Sequence, residues 1–287
     1  MKNLKYYFKK AEKGKWALGQ FNFSDLSQLE GIIAAAKNLK SPVILGTSEG
    51  ESKFLGLKQA VDLRNSYRTE TGLPIFLNLD HGKSFDYIKK AIELGYDMVH
   101  FDGSKLPLKE NIAKTKSVIS YAKKFGTIVE GEVGVISTDA SKIYEEKFVL
   151  KPEDLTNPVD AVQYSKSANA DCLAVSIGNF HGISVQGEPK LNLELLKEIK
   201  KLIKAKFLVL HGGSGILDRN IKKAIEFGIV KVNINTELRV AYTETLKNSL
   251  RNNPKEITPY KYLPEAIGAV QKVVEDKIKL FGSKNMA

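Results

Sequence analysis

The chain has 287 residues, 43% of them apolar and 27% charged, the make-up of a well-cored globular protein. Its length fits one α/β barrel of about 250 residues plus extensions better than two small domains, and no apolar run approaches the ~20 residues of a membrane span. The net charge of +11 reads either as a positive field for phosphorylated ligands or as a lysine-rich surface without functional content; nucleic-acid binding is disfavoured, because lysines alternate with acids as in Lys197-Glu198-Ile199-Lys200-Lys201.

The first sixteen residues, MKNLKYYFKKAEKGKW, are basic but lack the apolar core and cleavage site of a secretory signal. Eight β-rich runs then alternate with amphipathic segments, at residues 16–21, 42–45, 75–79, 98–101, 127–129, 172–175, 207–210 and 230–234. This order predicts parallel strands joined by helical crossovers, hence a single (β/α)8 barrel, the TIM-barrel architecture, over residues 1–287. Helical faces are predicted from Phe85, Ile88, Ala91 and Ile92, from Leu195, Leu196, Ile199 and Leu202, and from Leu217, Ile221, Ala224 and Ile225. Ser24, Asn157 (before Pro158) and Asn192 are expected N-caps, and Gly95 and Gly228 helix ends. One connection, residues 133–157, is about 25 residues long where a βα loop has about 2 to 6, so it is expected to be a mobile lid. A C-terminal helix is predicted over residues 264–281 from Ile267, Val270, Val274 and Ile278. The lone cysteine, Cys172, rules out an internal disulfide and fits a reducing cytoplasm.

Active sites of this fold sit at the C-terminal ends of the strands. Three of the four histidines fall there: His81 after the third strand, His181 a few residues past the sixth, and His211 at the end of the seventh. One such histidine alone is more often a hydrogen-bonded structural residue; three at one mouth offer Zn²⁺ three ligands and an open fourth position. The fourth, His100, lies within a strand and reads as a barrel-lining residue. Gly212, Gly213 and Gly215 around Ser214 let backbone N–H groups approach a phosphate, and Asn233, Asn235 and Thr236 at the end of the eighth strand add donors, at the fold's usual phosphate site.

Six ordered motifs make the chain recognisable: Asn78-Leu79-Asp80-His81-Gly82, His100-Phe101-Asp102-Gly103-Ser104, Val129-Glu130-Gly131-Glu132-Val133-Gly134, Ala174-Val175-Ser176-Ile177-Gly178-Asn179-Phe180-His181-Gly182, His211-Gly212-Gly213-Ser214-Gly215 and Lys231-Val232-Asn233-Ile234-Asn235-Thr236-Glu237. Through them it resembles the zinc-dependent (class II) fructose- and tagatose-bisphosphate aldolase family over nearly its whole length. The resemblance implies cleavage of a ketose bisphosphate to dihydroxyacetone phosphate and an aldehyde. It also implies one Zn²⁺ per chain, room for an accessory monovalent cation, and a homodimer or homotetramer. His81, His181 and His211 would hold the zinc, and Asp80 would exchange a proton with the C4 hydroxyl. Gly182, Gly212, Ser214, Asn235 and Thr236 would hold a phosphate, Asn233 would lie near the enediolate, and Arg239 resembles the arginine that reaches the second phosphate. Asp102 and Glu132, each at a strand end, read either as groups that orient the histidines or as ordinary barrel-mouth carboxylates.

Departures from the family concentrate in the fifth loop. The Gly-Gly-x-Glu-Asp of many relatives is replaced by Ile136-Ser137-Thr138-Asp139-Ala140-Ser141, which leaves Asp139, Glu145 or Glu146 to carry the C3 proton. Ser184 and Val185 stand where many members have Tyr and Lys, and Pro259-Tyr260 replaces a Pro-Arg. Rival readings are a zinc hydrolase on the same barrel and a metal-containing sugar-phosphate-binding homologue without turnover. A Schiff-base aldolase is disfavoured, since Ser176-Ile177-Gly178 ends the sixth strand where a lysine is needed.

Overall fold

The computed structural model describes residues 2–136, 143–145, 151–187, 189–203 and 206–287. Its eight long strands are β1 (Leu18–Asn22), β2 (Val43–Ser48), β3 (Ile75–Gly82), β4 (Met98–Phe101), β5 (Ile128–Val133), β6 (Cys172–Val175), β7 (Phe207–Leu210) and β8 (Ile229–Ile234). All pair in parallel, in the order β1-β8-β7-β6-β5-β4-β3-β2, and the barrel closes where Leu18 of β1 lies beside Lys231 of β8. The eight expected strands are all present. β3 and β5 run past their predicted ends because polar residues there, Asp80 and His81, Glu130 and Glu132, still extend the ladder toward the mouth.

Helices α1 (Leu4–Gly14), α2 (Leu26–Leu39), α3 (Glu49–Leu55), α4 (Leu57–Thr71), α5 (Phe85–Leu94), α6 (Leu108–Ala122), α7 (Pro158–Ser167), α8 (Leu193–Leu202), α9 (Asp218–Glu226), α10 (Thr236–Asn252), α11 (Pro259–Tyr262) and α12 (Pro264–Phe281) surround it. Asn157 and Asn192 cap α7 and α8 as expected. At α2 the cap is Asp25, not Ser24: the Asp25 carboxylate accepts from the Gln28 amide at 2.8 Å, and Ser24 donates to the Gln28 side chain instead. The C-terminal helix forms over its predicted span and packs against α2 and α10. Contact with α2 requires glycine at position 31, where a Cβ would lie 2.7 Å from the Ile267 carbonyl. Among the described residues no helix is long and apolar enough to cross a membrane.

Strand alternation sorts the barrel interior into layers. At the N-terminal end Leu18, Ile44, Phe76, Met98, Ile128, Cys172, Phe207 and Val230 form an apolar plug, closed from below by Leu4, Tyr7, Phe8 and Ala11 of α1. Two residues further along β1, β3, β4 and β5 the inward positions turn polar, with Gln20, Asn78, His100 and Glu130 all buried, and Lys231, one residue past Val230, is buried with them. A bulge between Ile229 and Lys231 turns the lysine inward, beside Glu130. The next layer forms the mouth.

The described parts of the long connection, residues 143–145 and 151–157, dock on the barrel mouth. Ile143–Tyr144 pairs in parallel with Ile183–Ser184 after β6. The Thr156 hydroxyl donates to the Val133 carbonyl at 2.5 Å and accepts from the Ser176 amide at 2.7 Å. Asp139 and Glu146, two of the three proposed proton carriers, lie outside the described residues; Glu145 is exposed.

Candidate active site

His81 is placed by strain. Its φ of 50° is left-handed, a conformation rare for a side-chain-bearing residue, and its amide donates to Nδ1 of His100 at 3.3 Å. A register shift of β3 between Leu79 and Gly82 accompanies it. The turn carries the ring over the mouth, where His81 Nε2 lies 3.1 Å from Nε2 of His181 and 3.0 Å from Nδ1 of His211. Around a tetrahedral zinc with Zn–N distances of ~2.0–2.1 Å, ligand nitrogens stand about 3.3 Å apart. The spacing therefore fits a small cation.

The outward ring nitrogens are tied to carboxylates. His81 Nδ1 is 3.0 Å from Asp102, and His211 Nε2 is 2.6 Å from Glu130. Each carboxylate holds the N–H on its own side and leaves a bare nitrogen facing the centre, the arrangement that prepares imidazole for a metal. Bare nitrogens 3 Å apart repel, so the arrangement calls for a positive charge between them. Burial opposes charge on His81, but the Asp80 carboxylate, the hydrogen bond to Asp102 and the charge of Glu132 outweigh it and hold its pKa up at about 9. Burial, the positive charge of His81 and that of Lys231 push His211 well down, toward the neutral form.

His100 competes for the same centre on spacing alone: Asp80, His81, His100 and His211 each offer an atom within 4.8 Å of the others. His100 is nevertheless fully buried, with Nε2 3.3 Å from Glu132, and it does not line the cleft. His181 does line it. Accessibility from the cleft therefore favours His181 as the third partner. Glu132 faces His100, while the direct carboxylate partners are Asp102 and Glu130.

Asp80 is braced on both oxygens. Asn22 donates to Oδ2 at 3.0 Å and Asn233 to Oδ1 at 3.1 Å. Burial would raise its pKa, but the positive charges of His81 and Lys231 override this and hold the carboxyl well below the usual range, so it is ionised. Asn22 is itself fixed, accepting from Gln20 at 3.0 Å while its second N–H reaches Glu51 at 3.0 Å.

Gly182, Gly212, Ser214, Asn235 and Thr236 come together along one wall of the cleft, whose volume is about 560 Å³. Gly212 has φ 60°, and a Cβ there would lie 2.1 Å from the Phe180 carbonyl. The N–H groups of Gly213 and Gly215 are already used, by the Asn233 carbonyl and the Glu237 carboxylate. The cradle therefore rests on Gly212, Ser214 and the N-terminus of α10 at Thr236. The buried Oδ1 atoms of Asn233 and Asn235 have no partner among the described residues, which suits hydroxyl donors of a ligand.

Arg239, expected to reach the second phosphate, lies at the start of α10. It pairs with the buried carboxylate of Glu51 and does not line the cleft. Glu51, Glu130 and Lys231 were not singled out in the sequence. The available signal was a charged residue at an inward position of an otherwise apolar strand, as at Lys231 in Ile229-Val230-Lys231-Val232.

The model of class-II fructose-bisphosphate aldolase matches residues 2–286. A fructose-bisphosphate aldolase of Geobacillus stearothermophilus is 35% identical over 288 aligned residues, 99% of this chain and 98% of the relative. A sulfofructosephosphate aldolase of Alkalicoccus urumqiensis is 37% identical, covering 96% of this chain and 95% of the relative. The crystal structure of the YdjI aldolase from Escherichia coli K12 superposes with a TM-score of 0.82 at 30% identity, over 100% of this chain and 99% of that one. A metal-compatible histidine and carboxylate cluster at the mouth of such a barrel agrees with a metal-dependent lyase acting on phosphorylated sugars, and the chain belongs to the class-II fructose-bisphosphate aldolase family.

Proposed function

We infer that the chain cleaves a ketose 1,6-bisphosphate of the fructose or tagatose type to dihydroxyacetone phosphate and glyceraldehyde 3-phosphate, with His81, His181 and His211 as ligands of one Zn²⁺. The observation that carries this reading is the convergence of three ring nitrogens, at 3.0 and 3.1 Å about His81 Nε2, beside an ionised and braced Asp80. Bound zinc supplies a Lewis acid for the C2 carbonyl. The chain's own residues do the rest. Gly212, Ser214 and Thr236 hold the C1 phosphate and so fix the ketose across the mouth. The Asp80 carboxylate takes the C4 hydroxyl proton; the C4–O electrons form the aldehyde, the C3–C4 bond breaks, and its electron pair passes into the C2–C3 enediolate. Asn233, which braces Asp80 at 3.1 Å, offers its amide to that enediolate. One of Asp139, Glu145 and Glu146 then protonates C3.

We further read the whole of residues 1–287 as one barrel domain of a cytoplasmic homo-oligomer. The single buried cysteine supports the reducing compartment. The test is release of triose phosphate from fructose 1,6- and tagatose 1,6-bisphosphate by zinc-loaded protein, followed with a coupled dehydrogenase. A zinc hydrolase would release inorganic phosphate instead, and a non-catalytic homologue would bind the ketose unchanged. Either result would replace the reading.

A further inference from the structure

We propose that the anionic group at the aldehyde end of the substrate is held by Lys83 and Lys105, on the β3 and β4 side of the mouth, and not by Arg239; the inference rests on the aldolase reading above. The barrel order supplies the geometry. In a closed ring of eight strands, β3 and β4 stand opposite β7 and β8. The phosphate cradle is built on β7 and β8, and Asp80 and His81 project from β3. A ligand anchored in the cradle and passing over the histidines therefore arrives with its far end at the β3 and β4 rim.

Lys83 and Lys105 line the same cleft, with exposed side chains. Among the described residues neither has a carboxylate partner. The neighbouring charges are already engaged: Lys114 pairs with Glu110 at 2.9 Å, and the Glu49 carboxylate accepts from the Lys83 backbone amide at 2.8 Å and from Lys53 at 3.0 Å. Asp102 is held by His81 and by the Ser104 hydroxyl at 2.7 Å. Two cations without local neutralisation thus face the end of the cleft that the cradle leaves open.

Arg239 is in the opposite condition. Its guanidinium is paired with Glu51, which is 5% exposed and also accepts from Asn22, from Asn235 and from the Ser48 backbone amide. A phosphate drawn to Arg239 would have to settle against the Glu51 carboxylate, a like-charge contact in a poorly solvated place. Glu51 therefore converts the arginine into a brace for the wall that carries Asn22 and Asn235. The two relatives named above are named for fructose skeletons that carry a phosphate and a second anionic group, phosphate in one and sulfo in the other. A pair of ammonium groups acts on either as point charges, without the bidentate geometry that a guanidinium imposes.

The test is binding of hexitol 1,6-bisphosphate and hexitol 1-phosphate to the zinc-loaded protein by calorimetry. Both lack the C2 carbonyl and cannot be cleaved. We expect the bisphosphate to bind at least about tenfold tighter, a preference that shrinks as salt screens the exposed lysines. The double variant Lys83→Gln/Lys105→Gln should bring the ratio to within about twofold of unity, whereas Arg239→Gln should move both affinities together and preserve it. A 6-sulfonate analogue distinguishes the two anions by showing which of them loses its advantage in the lysine variant. The inference is overturned if the wild type shows no preference, if the preference survives in the lysine double variant, or if it collapses in Arg239→Gln. Hexitol binding with the expected ratios, but no triose phosphate from the ketose, would sink the aldolase reading and leave the lysine site standing.

Discussion

Replacing Glu130 with Gln perturbs the candidate metal centre without touching a ligand. Glu130 is fully buried; one oxygen accepts from His211 Nε2 at 2.6 Å and the other from Lys231 Nζ at 2.8 Å. An amide accepts at one end only, so either the imidazole or the ammonium group loses its acceptor. An ammonium left buried and unpaired costs about 3–5 kcal/mol. With an unfolding entropy of ~2.1 cal/mol/K per residue over 287 residues, this corresponds to a fall in Tm of about 5–8 °C. The His211 ring also loses the carboxylate that fixes its tautomer, and zinc affinity should fall by about 10- to 100-fold. Thermal unfolding of the metal-free protein and competition against a chromogenic chelator measure the two effects separately. The double variant Glu130→Gln/Lys231→Met removes the orphaned charge and should recover most of the lost stability while zinc affinity stays low. Wild-type Tm and wild-type zinc affinity in Glu130→Gln would refute the reasoning.

Three further outcomes follow from the same geometry. Asp80→Ala should retain zinc but lower kcat at least ~10²-fold, the usual effect of removing a general base; near-normal turnover in zinc-loaded Asp80→Ala protein removes Asp80 from that role. Gly212→Ala should raise KM for the ketose at least about tenfold, because a left-handed backbone is strained for alanine and the new Cβ would meet the Phe180 carbonyl at 2.1 Å; an unchanged KM would show that the loop yields freely. Zinc must displace the proton that His81 holds with a pKa of about 9, so apparent affinity should rise about tenfold per pH unit from 7 to 9. In the metal-free protein that raised pKa stabilises the fold fully below the unfolded value of 6.5, and the contribution is lost as pH rises through about 9; a pH-independent zinc affinity would contradict the assignment.

The barrel was legible because its strands are short β-rich runs in a strict order with amphipathic helices, and the mouth was legible because inward positions at strand ends carry His, Asp and Asn. The misassigned cap at α2 shows the limit of local reading: Ser24 and Asp25 are equally good capping residues, and only the reciprocal bonds with Gln28 decide between them. The middle layer was harder. Glu130 and Lys231 are 101 positions apart, and nothing local says that they meet; their pairing follows from barrel closure and from the bulge in β8. The ion pair of Arg239 was hidden for a related reason. The arginine's position one turn into α10 matches a phosphate-binding arginine, but its partner, Glu51, comes from a helix on the far side of β1.

The central claim is that a metal on His81, His181 and His211 makes the retro-aldol step possible. It is tested most directly by stripping the protein with chelator and titrating Zn²⁺ back while following triose phosphate release. Activity should be absent in the stripped protein, return linearly with bound metal and saturate at about one ion per chain, as a site with three imidazole ligands requires; the same titration of His181→Ala should restore little activity. Full turnover in the metal-free protein would contradict the account.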